Sequence, residues 1–101
     1  MEWPWPFGAI EEVDHRFSLE AELRRELKPG HPLFGLPARA IARRSDQDDV
    51  LFKLLDGTGR VAEVHLTWAR NEKPPWPRVE LFASLAEWIE RGRDEFGNVR
   101  E

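Results

Sequence analysis

The segment Val50 to Leu55 is apolar on both faces except at Lys53, and it lies between Asp46-Gln47-Asp48-Asp49 and Asp56-Gly57-Thr58-Gly59. A strand with no polar face needs cover on both sides, so this segment belongs at the centre of a sheet. Its flanks are turns, because Asp bonds its own backbone and Gly supplies positive φ. Two further segments read with period two. Ala38 to Arg44 sets Ala38, Ala40 and Ala42 on one side and Arg39, Ile41 and Arg43 on the other. Val61 to Ala69 sends Ala62, Val64, Leu66 and Trp68 inward and Glu63, His65 and Thr67 outward. Val79 to Phe82 fits a fourth, edge strand with Pro77 at its start.

Helical patterns stand on either side of these strands. Ser18 suits a helix start, with Leu19, Leu23 and Leu27 forming a narrow apolar stripe and Pro29-Gly30 ending it. A start at Asp14 would add Phe17 to the buried side. Ser84-Leu85-Ala86-Glu87 reads as a capping box, Leu85, Trp88 and Ile89 as the buried face behind it, and Gly92 as the stop. The order α-β-β-β-β-α predicts an α+β fold, an antiparallel four-stranded meander with helices on one face. Residues 1–8, rich in Trp and Pro, form an extended arm, and 93–101 a frayed tail.

With 101 residues the whole chain, 1–101, reads as a single domain, and 41% hydrophobic residues, including five Trp and six Phe, suffice for its core. Nineteen acids against fifteen bases leave a net charge of −4, which disfavours general nucleic-acid coating. The absence of cysteine excludes disulfides and thiolate centres. No signal-like start and no long apolar run is present, so the expectation is a cytoplasmic protein with no membrane contact.

The runs Gly30-His31-Pro32-Leu33-Phe34-Gly35, Asp48-Asp49-Val50-Leu51-Phe52 and Val64-His65-Leu66-Thr67-Trp68, followed by Pro77 and the Ser84-capped helix, resemble a family of small bacterial proteins with no established activity. The resemblance spans about residues 17–92 and implies bacterial origin and kinship of fold. It transfers no catalytic residue, and the Trp3-to-Phe7 arm lies outside it.

In the meander register, the face away from the helices collects Arg39, Arg43, Lys53, Glu63, His65 and Thr67, together with Ile41, Leu51 and Leu55. Arg forks and a fixed Lys can hold a carboxylate or phosphate, whereas the bland reading is a solvated face with cross-strand pairing. Apolar residues on a basic face argue for cover by the arm, a second subunit or a partner, so this face is expected to be at least half occluded. His65 beside Glu63 and Thr67 has the residue types of a proton relay. Alternate residues of one strand point in parallel, however, so no orienting carboxylate is expected at its second ring nitrogen. His31 is expected to cap the first helix.

Asp46, Asp48 and Asp49 lack the ligand spacing of a calcium loop, so no metal and no cofactor is expected. The leading reading is a non-enzymatic interaction module that binds a protein partner or itself. Its surface would comprise Arg39, Ile41, Arg43, Leu51, Lys53, Leu55, His65 and Thr67, with Trp3 and Trp5 as a partner arm. The alternative is a small anionic-ligand binder or minor enzyme using Arg39, Arg43, Lys53 and His65.

Overall fold

A computed structural model describes Trp3 and residues 6–69 and 76–96, with 92–96 as backbone only. The elements are β1 (Phe7–Ala9), α1 (Val13–Glu26), β2 (Ala38–Arg44), β3 (Asp49–Leu54), β4 (Val61–His65), β5 (Arg78–Phe82) and α2 (Leu85–Phe96). The fold is α+β, and its sheet has five strands in the order β1-β2-β3-β4-β5, every neighbouring pair antiparallel. The additional strand comes from the proline-rich arm: past Pro6 the backbone donors return, and Phe7 to Ala9 pair with Arg44 to Ala42.

The doubly apolar β3 is covered on both sides, as its composition demands, by the chain's own two helices. Leu19, Leu23 and Leu27 of α1 pack with Val50, Phe52, Leu54, Ala62, Val64 and Leu66. Trp88 of α2 packs with Leu51, Val61, Phe82, Phe7 and Ala42. The helices therefore lie on opposite faces, not on one. The alternation of β3 separates Leu51 from its neighbours, and Trp88 supplies the apolar cover Leu51 needs.

A β-bulge between Ala40 and Ala42 resets β2. Ala38 and Ala40 face α1 as expected, but past the bulge Ala42 joins the Trp88 cluster and Arg43 stands opposite Val50, on the α1 side. At the bulge, the Ala40 N–H donates to the Glu20 carboxylate at 2.9 Å, which ties α1 to β2.

Local signals account for the element ends. The α1 stripe is buried, but the helix begins at Val13 and Phe17 is 52% exposed, with the Arg16 guanidinium 5.1 Å from its ring centre. The Glu87 N–H donates to Ser84 Oγ at 3.1 Å, as the capping box predicts, while the Glu87 carboxylate accepts the Ala83 N–H at 2.6 Å, one residue before the N-cap whose N–H the box assigns to it. Gly92 does not stop α2, which continues through Phe96. In the β3–β4 turn, Asp56 accepts the Thr58 N–H and hydroxyl, and these hydrogen bonds hold its carboxyl below the usual carboxylate range. Trp68 is exposed rather than buried, because β4 ends at His65 and Trp68 itself takes a left-handed φ of 56°, which breaks the alternation that would have turned it inward.

His31 is buried and bridges distant parts of the chain. Its Nδ1 accepts the Leu33 N–H at 3.0 Å and its Nε2 donates to the Pro77 carbonyl at 2.8 Å. It therefore pins the connector after α1 to the start of β5 instead of capping the helix. His31→Ala leaves a buried donor and a buried acceptor without this partner and is expected to cost about 1–3 kcal/mol, read as a lower urea midpoint at unchanged slope.

Candidate functional site

Antiparallel pairing builds one row of polar side chains across three strands. Asp49 of β3 stands opposite His65 of β4, and His65 stands opposite Arg78 of β5. Directly opposed residues project from the same face, so the three side chains are neighbours on the α2 side of the sheet. The next row on that face is Leu51, Glu63 and Glu80.

Within the first row, His65 Nδ1 lies 2.5 Å from Asp49 Oδ1. With the carboxylate accepting from Nδ1–H, the other ring nitrogen, Nε2, is the one left to meet a ligand. The Arg78 guanidinium stacks on the Trp76 indole, 5.1 Å from the ring centre, and has no ion-pair partner among the described residues. The acids of the second row have donors: Glu63 accepts the Trp88 Nε1–H at 2.8 Å, and Glu80 pairs with Arg91 at 2.9 Å. Asp49, Glu63, His65, Arg78, Val79 and Glu80 line a shallow groove of about 330 Å³. Two adjoining depressions share His65 and Trp76 and extend it toward Asp48, Leu66 and Thr67.

The residues singled out from the sequence do not converge on His65. Arg39 stands opposite Lys53, and both are exposed, four residues along β3 from Asp49 and so roughly 13 Å away at ~3.3 Å per residue. Arg43 is on the other face, turned there by the bulge. Leu51 is fully buried and Ile41 half-buried in and against the Trp88 cluster, so α2 and the arm occlude this part of the face. Leu55 lies past the end of β3 and remains 48% exposed. Thr67 lies past β4 with its N–H held by Glu26, and borders the groove. Trp3 packs edge-on against Trp88 with ring centres 5.8 Å apart, a contact within the chain, while Trp5 lies outside the described residues.

Asp49 is the residue that sequence reasoning missed. Its place in Asp46-Gln47-Asp48-Asp49 suggests a turn, yet counting outward from the Asp56–Gly59 hairpin, where Lys53 meets Val61, brings Asp49 opposite His65. The carboxylate that no same-strand neighbour could supply comes from the adjacent strand. Asp46 pairs with Arg44 at 2.7 Å and Asp48 accepts the Leu66 N–H on its carbonyl, so the acidic loop does not converge. Among the described residues no group of three or more His, Cys, Asp or Glu side chains is arranged to hold a metal ion, and no helix is long and apolar enough to cross a membrane.

No protein family, curated protein or solved structure was found to match this chain.

Proposed function

We propose that the chain is a non-enzymatic binding module whose contact surface is the groove along Asp49, His65, Arg78 and Trp76, and whose protein partner presents an acidic side chain to Arg78. The observation that carries this reading is the Arg78 guanidinium, stacked on a partly exposed indole with no carboxylate of its own among the described residues. Arg and Trp are the side chains that most often dominate protein contacts, because they bring large contact area and a planar donor fork. The open shape of the groove suits a segment of another protein better than an enclosed small molecule. The Leu51 region is filled by α2, so this reading takes its contact surface from the open end of the sheet beside His65.

A second reading, a small-anion site with acid–base capacity, is favoured by the Asp49–His65 pair beside Arg78. Photo-crosslinking in cells distinguishes the two. A photoreactive residue at Trp76 is expected to capture one protein, or a second copy of the chain, that the same residue at Thr58 on the far hairpin does not. Arg78→Glu is then expected to weaken that purified complex at least tenfold, about 1.4 kcal/mol, while His65→Gln changes it little. No adduct specific to position 76, with acetate or phosphate instead shifting the Arg78 and His65 resonances, overturns the module reading in favour of the anion site.

A further inference from the structure

The sheet ends at β5, and among the described residues only β4 pairs with it. An outer strand presents unpaired backbone N–H and C=O groups along its free side, so it must either repel another strand or accept one. β5 carries one charge of each sign. Arg78 and Glu80 are alternate residues, about 6.6 Å apart along the strand, and both project exposed from the α2 face. They do not pair with each other. Each keeps a free binding group among the described residues: the Arg78 guanidinium stacks on Trp76 and has no carboxylate, while Glu80 gives Oε2 to Arg91 and its Oε1 accepts no hydrogen bond.

A strand that answers both charges must run antiparallel to β5 and carry a base and an acid two residues apart. β5 itself is such a strand. When two antiparallel strands are related by a two-fold axis, the residue at the axis meets its own counterpart and the residues flanking it meet each other's. With the axis at Val79, Arg78 of each copy stands opposite Glu80 of the other. An axis at residue 78 or 80 sets Arg78 against Arg78 or Glu80 against Glu80, and like charges directly opposed repel. We propose that the partner presenting an acid to Arg78 is a second copy of this chain, joined β5 to β5 about Val79, with Glu80 as the acid.

The other side of the seam agrees with this register. Val79 is half-buried and Leu81 is 39% exposed on the α1 side, and the pairing sets Leu81 diagonally beside Val79 of the second copy. Pro77 has no N–H to donate, so the seam is short and the dimer a weak one. The pairing rests on the groove at Arg78 being the contact surface, and adds which chain supplies the acid.

Sedimentation velocity of the intact chain, from about 1 μM to about 1 mM, is expected to show a reversible monomer–dimer equilibrium. Arg78→Glu alone and Glu80→Arg alone are each expected to weaken it by about tenfold or more, because two opposed pairs become like-charged together. Mixing these two variants sets Glu opposite Arg at every pair, so the mixture is expected to associate as heterodimers. The double variant Arg78→Glu/Glu80→Arg is expected to dimerise again. A local structural loss is not cured by mixing. In hydrogen exchange, β5 amides are expected to gain protection as concentration rises while those of β1, the other edge, do not. A chain that stays monomeric throughout the range overturns the proposal. So does a dimer indifferent to both reversals, a mixture no more associated than its components, or protection gained at β1 and not at β5. If a variant fails to fold, the exchange measurement on the wild type decides alone. A monomeric wild type with another protein captured at position 76 removes the second copy and leaves the groove reading standing; a monomeric wild type with no adduct there removes both.

Discussion

Leu51→Asp is expected to abolish the folded state rather than weaken an association. Leu51 is 0% exposed on the central strand, between Ala42 of β2 and Glu63 of β4, in the cluster that Trp88 covers. The substitution forfeits about 1.5–3 kcal/mol of apolar burial. It also places an ionisable group where water is excluded, beside another acid, at a further cost of about several kcal/mol. Domains of this size hold a total stability of about 5–15 kcal/mol. The expected result is therefore loss of the cooperative urea transition and of near-UV circular dichroism. Leu51→Ala, at about 2–5 kcal/mol, should remain folded with a lower midpoint. A Leu51→Asp protein that unfolds cooperatively near the wild-type midpoint would show that α2 does not cover this face.

Trp88→Ala is expected to be the costliest truncation on the α2 side, at about 3–5 kcal/mol. The indole is 1% exposed, meets Phe7 edge-on at 4.9 Å and Trp3 at 5.8 Å, and donates its Nε1–H to Glu63. Truncation removes the surface against which the arm lies, so the Phe7–Ala9 amides should lose hydrogen-exchange protection before those of β3 and β4 do. Trp88→Phe keeps one aromatic ring in place while removing the Glu63 donor and part of the buried indole, and its loss should fall between wild type and Trp88→Ala. Equal losses for the two variants would place the effect in the Nε1–H and the outer part of the indole, with nothing contributed by the ring that Phe retains. Unchanged protection at β1 would mean that backbone pairing with β2 suffices to hold the arm.

Both outcomes bear on how the candidate surface was first placed. Leu51, Ile41 and a basic face together read as a surface awaiting a partner, and the need for cover was real, since β3 has no polar face. That α2 and Trp3 provide this cover follows from their packing against Leu51, Ile41 and Trp88, contacts between residues far apart in sequence. The His65 environment was misread for a related reason. Same-strand neighbours are visible at once in a sequence, whereas Asp49 is found only by counting out from the β3–β4 hairpin and Arg78 only through the register of β4 with β5. Arg39 and Lys53 did fall on one face, yet at the end of the strands away from His65.

The sequence by itself determined the elements governed by short-range chemistry. The Leu19, Leu23 and Leu27 stripe follows from helical period, the Asp56–Gly59 turn from Asp hydrogen bonding and glycine φ, the start of α2 from the Ser84 and Glu87 side chains, and the central place of β3 from its two apolar faces. Only the tertiary structure decided the rest. The bulge that carries Arg43 to the far face, the recruitment of Phe7–Ala9 as a fifth strand, the choice of opposite faces for the two helices and the placing of Arg78 beside the Asp49–His65 hairpin pair all depend on pairing between residues distant along the chain. A local pattern states which side chains need burial and which backbone groups need partners. Which distant surface satisfies them is settled by the competition among all such surfaces at once, and a change of one residue in register is enough to exchange the faces.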